Sequence, residues 1–344
     1  MLYLCLGLVF SFFSFLEILS KERKFFKILF WILLLLMLFL VGLRDGRLVG
    51  TDSPAYYVYY LEELPPAEFG YKYLNYFFSS NGFSYTIFLL FINAIALVNI
   101  GRFIKLNSYY LMFSLFIFYS DFFFYYNFSG IRQAIALSFT SFSLCYIFNN
   151  KRKLAFLLII FASLFHVTAL IFMLAFFVPK VQINFSKYLK FIIVTILGIL
   201  IGGLLIDRVP YLSQKFLYYS SMQEQVDNIL NNYYIGVAKR LTVLVAVVLV
   251  YKKFFSENKN IFIYGLYLVG FFIYVVSYLI SPDFGVRLGS YFIILDCVLI
   301  SRYIVISSSF TNRMVIFIIF MLIAFYKIYT YTLIPAYEYK FIGL

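Results

Sequence analysis

Residues 25–43 read FFKILFWILLLLMLFLVGL, with Lys27 the one charged side chain among them. A helix of that length spans about 28 Å, close to the ~30 Å thickness of a bilayer's hydrocarbon core. It is apolar on every side, so it has no polar face to turn toward water. The same reading extends outward over the whole chain. Of its 344 residues 64% are hydrophobic and 12% charged, where soluble domains have about a quarter charged. A soluble globule is excluded, and the fold class is an all-α polytopic membrane protein.

About eleven such spans follow one another, roughly at 1–19, 25–43, 83–104, 108–127, 129–148, 154–178, 189–206, 236–252, 261–280, 287–306 and 314–333. The opening MLYLCLGLVFSFFSFLEILS lacks a basic n-region and a small-residue cleavage site, so it reads as a retained first span. Residues 1–344 read as a single transmembrane domain, with no linker to set off a second. Two hydrophilic stretches, roughly 44–82 and 207–235, are too long for tight turns, and long loops tend to carry function.

Basic loops set the orientation. Lys21, Arg23, Lys24 and Lys27 place the first loop inside, and Arg102 with Lys105, then Lys151-Arg152-Lys153, mark two more inside loops. The N-terminus and the 44–82 stretch then face outward. Beyond residue 154 simple alternation fails, because Lys180, Lys187 and Lys190 fall outside, as do Lys252, Lys253 and Lys259. One span between 154 and 206 is therefore re-entrant or divided, or the count is off by one. With 252–259 inside, the 207–235 loop is outside.

Several functions are unsupported. Cys5, Cys145 and Cys297 all fall within spans and give neither a disulfide framework nor metal-ligand spacing. The net charge of +13 follows from short basic loops rather than nucleic-acid binding. No phosphate-binding glycine loop is present. Gly130, Ala134 and Ser138 lie four apart, and Gly198 with Gly202 makes a second small-residue face, both suited to close helix packing. Many of the tyrosines and phenylalanines fall near span ends as interfacial belts.

Ionisable groups inside spans cost about 2.5–3.5 kcal/mol at mid-helix, so each invites a functional reading. They are Asp121, Arg132, His166, Arg240, Arg287, Asp296 and Lys327. Glu17 lies near enough to a helix end to snorkel. Arg132, followed by Gln133, opens a span, where the helix dipole favours anions over cations. That placement suits an anionic ligand held between the guanidinium and the free amides, and equally an arginine reaching lipid phosphates. Arg287 has Tyr291 one turn on and Asp283 one turn before, and Arg240 begins another span. Arginine forks match diphosphate oxygens. His166, the only histidine, shares a helical face with Ala162, Ala169 and Met173. It suits proton transfer near neutral pH or an interhelical hydrogen bond. In the outer stretch, Asp52 or Ser53 caps a helix before Pro54. The rival reading makes Asp52 a base, with Arg44 and Arg47 gripping an anion. Glu62 and Glu63 read as solvated.

The stretch LRDGRLVGTDSPAYY (43–57) resembles the outer-loop signature of EpsG-like proteins. IRQAIALSF (131–139), the basic turn NNKRK (149–153), LFHVTAL (164–170), VRLGSYF (286–292) and YTLIPAYEY (331–339) follow in that family's order. The resemblance covers nearly the whole chain, although 180–280 matches in hydropathy alone. The family is similar to the Wzy-type polysaccharide polymerases. The resemblance implies a bacterial inner-membrane glycosyltransferase with its site facing the periplasm or the exterior. It would move a growing glycan from undecaprenyl diphosphate onto a new lipid-linked repeat unit, with no nucleotide sugar, metal or cofactor. Donor and acceptor lipids, membrane lipids and a chain-length regulator protein are the implied partners, and nucleic acid is not.

For that chemistry Arg132, Arg287, Arg44 and Arg240, with Gln133, are the groups to stabilise the leaving diphosphate. Asp52 or His166 is the base for the attacking hydroxyl. Tyr56 and Tyr291 are the aromatic candidates along the glycan path. Two rivals stand beside this reading. A lipid-linked glycan flippase also needs arginines, yet internal repeats are not evident. A membrane acyltransferase normally sets its histidine in a recognisable paired motif, which LFHVTAL lacks.

Overall fold

A computed structural model describes residues 1–20, 22–62, 67–180, 193 and 229–343. It is all-helical and polytopic. Among the described residues, seven helices are long and apolar enough to cross a membrane, or eight if one bent pair counts as a span. The chain divides into two compact units, one of residues 1–170 with 300–344, the other of residues 171–299.

In the first unit, α1 (Leu2–Leu19) packs on α6 (Leu111–Phe118), and α2 (Arg23–Gly42) on α5 (Tyr85–Asn107). Next, α5 packs on α7 (Ile131–Phe148) and α7 on α8 (Arg152–Ser163). Buried Ala134 and Ser138 lie on α7, where Ser138 Oγ accepts from Asn99 of α5 at 3.4 Å. Thus part of the expected small-residue face does pack a neighbouring helix. Gly198 and Gly202, the span at 189–206 and most of the 207–235 stretch lie outside the described residues.

Three expected spans are not single helices. The 108–127 run divides into α6 and a π-helical segment, Tyr119–Ser129, along which rings four apart stack (Phe118 on Phe122, Phe122 on Tyr126). In 154–178, α8 stops at Ser163, and a 3-10 segment resumes at Val167–Phe176. Twelve α-helical residues reach only ~18 Å. The 287–306 run divides into α11 (Pro282–Ile293) and α12 (Asp296–Ile306), bent by 43°.

At one end of the first unit, buried polar groups hold the α5–α6 turn. Glu17 accepts from the amides of Leu111 and Met112 at 2.9 and 2.8 Å. Expected to snorkel, it is instead 1% exposed. The first amides of α6 have no intrahelical partner, and a carboxylate there also meets the positive end of the helix dipole. Arg302 donates to Asn107 O from Nε and Nη2. Ser301 Oγ accepts from the amides of Tyr109 and Tyr110.

The opposite end carries the 44–82 stretch. Much of it is helical, as α3 (Ser53–Leu61) and α4 (Phe69–Ser80). After α13 (Phe310–Thr332), residues 335–342 run back along its first part. Arg44 and Phe341 form an isolated antiparallel bridge, and Asp45 N, Gly50 N and Ile342 N bond Lys340 O, Ala336 O and Leu43 O. The second unit packs α9 (Ile229–Ala246) and α11 against α10 (Asn258–Ile280).

Candidate active site

Arg132 is the second residue of α7, directly after Gly130 closes the π segment. The unfavourable dipole at that position is answered by a carboxylate from another element. Glu68 Oε2 lies 2.5 Å from Arg132 Nη1, and the two side chains are 7% and 15% exposed. Arg132 Nε donates to Tyr56 Oη at 3.2 Å. The guanidinium stands 5.5 Å from the Tyr56 ring and 5.9 Å from that of Tyr71. Tyr71 is fully buried, and its Oη has no hydrogen-bond partner among the described residues. Burial pushes its phenol well above the usual range, so it stays protonated. Gln133 is buried beside Arg132 in sequence, 2% exposed.

Glu68 precedes the first residue of α4 with an extended backbone, ψ 147°. Two residues later, the Gly70 amide donates to Leu164 O at 2.7 Å, satisfying a carbonyl at the end of α8. A Cβ on Gly70 would lie 2.9 Å from that oxygen, so this approach needs glycine. The start of α4 therefore ties Arg132 of α7 to the α8 break.

His166 lies in that break, 5% exposed, with Nδ1 2.5 Å from Thr168 Oγ1. The uninterrupted face expected for it with Ala162, Ala169 and Met173 is not formed, because the backbone changes from α to 3-10 there. Asp52 precedes α3 but makes no side-chain cap bond. Ser53 Oγ bonds Val49 O and Phe128 O instead, which leaves the half-buried Asp52 carboxylate beside Thr51 Oγ1 at 3.4 Å. Tyr337 is close to this group: burial pushes its phenol up, and Asp52's charge adds to the shift.

Arg44 needs correction. Expected to grip diphosphate, it is 1% exposed and bonds backbone carbonyls. Nε donates to Val49 O (3.0 Å), Nη2 to Phe128 O (2.8 Å) and Nη1 to Val41 O. Its guanidinium stands 5.0 Å from the Phe128 ring. Burial lowers its pKa to about 10, so it remains a cation at neutral pH. It holds the loop that carries Asp52. Arg47, paired with it as an anion grip, instead bonds Asp45, whose carboxyl it holds below the usual range.

The second unit holds the other arginines. Arg240 donates to Gly236 O at 2.7 Å, with its guanidinium 3.6 Å from the Tyr274 ring centre. Arg287 Nη2 lies 4.0 Å from Asp283 Oδ2, the i,i+4 pair its spacing suggests. Tyr291 is fully buried, so its ring is not displayed along a glycan path. Tyr56 is likewise buried, 5% exposed, on Arg132.

Sequence reasoning missed Glu68 and Tyr71. The available signal was EFGYKY (68–73), a carboxylate set just before a glycine and an aromatic helix start.

The model of the EpsG family matches residues 2–342, which takes in both units. The chain belongs to the EpsG family. That membership connects it with polysaccharide biosynthesis and a role like that of an exopolysaccharide or O-antigen polymerase. The resemblance carried by GTD, IRQ and FHVTAL is thereby confirmed as a family relationship. No curated protein and no solved structure matches the chain.

Proposed function

We propose that this EpsG-family chain is a membrane glycosyltransferase of Wzy type. It joins undecaprenyl-diphosphate-linked repeat units at the periplasmic or outer face of the bacterial inner membrane. The observation that carries the reading is Arg132: a largely buried cation at a helix start, faced by two tyrosines and a carboxylate. Fixed cations of this kind stabilise a departing diphosphate. The end bearing Arg132 is the outward one, because Arg23, Arg102, Lys105 and Lys151 to Lys153 collect toward the other.

In the reaction, an acceptor hydroxyl attacks the donor's anomeric carbon, the new glycosidic C–O bond forms, and the C–O bond to diphosphate breaks. Lipid diphosphate leaves with the electron pair, its charge met by Arg132 with Gln133. The hydroxyl proton passes to a base, for which the sequence offers Asp52 or His166. Tyr56 Oη accepts from Arg132 Nε and holds the guanidinium in place.

The test is polymerisation by the purified chain. Synthetic polyprenyl-diphosphate repeat units, without nucleotide, are expected to give a ladder of longer glycans. Arg132→Ala and His166→Ala are expected to abolish it while the protein still inserts. Translocation in liposomes without any ladder would instead identify a flippase.

A further inference from the structure

Buried ion pairs are weak evidence of stability, because taking two charges out of water costs about as much as their attraction returns. The Arg132–Glu68 pair therefore asks for a purpose. Two features of its surroundings point to a ligand. Arg132 Nη2 makes no hydrogen bond to the described residues, although Nε and Nη1 both do. Tyr71, whose ring centre lies 5.9 Å from the same guanidinium, has a buried Oη with no hydrogen-bond partner among the described residues. One open arginine donor and one buried hydroxyl, beside a carboxylate on the arginine's remaining fork, outline an anion position that Glu68 already half occupies.

Resting on the polymerase reading above, we propose that the donor's diphosphate exchanges Glu68 off Arg132, and that the displaced carboxylate, in place of Asp52 or His166, then takes the proton of the attacking acceptor hydroxyl. A diphosphate carries more charge than a carboxylate and matches the guanidinium fork, so it wins the exchange. The displaced carboxylate then sits beside a polyanion, and like charge favours its protonated form. Donor binding thus converts Glu68 from counter-ion to base. The O–H bond of the acceptor breaks as its oxygen bonds the anomeric carbon, the proton goes to Glu68, and the electron pair leaves with lipid diphosphate. A base for this step must lie within hydrogen-bond reach of the breaking bond. Glu68 is the carboxylate in contact with Arg132.

The experiment compares binding with turnover on the purified full chain, using inorganic pyrophosphate as the binding probe and ladder formation as the rate. Glu68→Gln is expected to bind pyrophosphate several-fold more tightly than wild type, since a competing anion is gone. Its ladder rate is expected to fall by about 100-fold or more. Arg132→Ala is expected to lose both. A ladder from Glu68→Gln at the wild-type rate overturns the proposal, and so does a parallel loss of affinity and rate. Should Glu68→Gln fail to accumulate in membranes, Glu68→Asp replaces it. A reduced rate at wild-type affinity supports the role, and equal losses overturn it. No ladder from wild-type protein sinks the polymerase reading itself, whereas a wild-type ladder matched by Glu68→Gln sinks only the role of Glu68.

Discussion

Arg44 and Arg132 are the same residue type at the same end of one unit, yet their surroundings set them to different work. Arg44 is enclosed by carbonyls of its own loop and of the π segment, and Arg132 faces tyrosines, a carboxylate and partial solvent. Their alanine variants should separate accordingly. Arg44→Ala removes three buried hydrogen bonds and takes from Val41 O its side-chain donor, at about 1–3 kcal/mol for a carbonyl buried unbonded, whereas Val49 O and Phe128 O keep Ser53 Oγ. Its melting temperature in detergent should drop by roughly 5 °C or more, and the membrane level should fall with it. Arg132→Ala in a Glu68→Gln background, which leaves no unpaired buried charge, should melt near wild type and lose polymerisation. Equal melting for the two variants would contradict the assignment. Sequence alone grouped both arginines as anion ligands, because residue type and span position say nothing about which carbonyls close around a guanidinium. Glu68 escaped for the mirror reason. A carboxylate in a polar stretch reads as solvated until a long-range partner is known.

Among the elements, composition and structure agree wherever a span is one uninterrupted helix. Residues 25–43 and 261–280 illustrate this, as α2 and α10 occupy nearly those bounds. Hydropathy sums apolar surface but does not register where backbone hydrogen bonds change pattern. It therefore ran through the α-to-π change after Phe118 and the break after Ser163. The second break is possible because α4 supplies the Gly70 amide to Leu164 O. Gly70→Ala tests that dependence. Its Cβ must push against the Leu164 carbonyl at a cost of about 1–3 kcal/mol. The shift should carry Glu68 off Arg132 and His166 out of place, so polymerisation should fall well beyond what the stability loss explains. Full activity in Gly70→Ala would show that the α4–α8 contact does not position the site.

Across the whole molecule, the all-helical membrane architecture was legible throughout, because about thirty apolar ångströms leave the backbone few ways to satisfy itself. The pairing of the chain's far end with residues 43–50 was not, since it rests on backbone bonds that no side-chain pattern announces. Tyr337 Oη meets Ser129 Oγ at 2.8 Å, and its carbonyl accepts from Tyr3 Oη at 2.8 Å. Removing residues 335–344 should leave the spans inserted but lower the melting temperature and abolish the ladder. A truncated chain that still polymerises would show the strap to be dispensable. The same strap has a bearing on biogenesis. The Asp52 loop leaves the ribosome nearly 290 residues before Ala336 and Lys340, the backbone partners that fix its shape. A nascent chain therefore carries that loop unfixed until residues 336–340 have emerged, and premature termination near residue 330 would leave it without those partners.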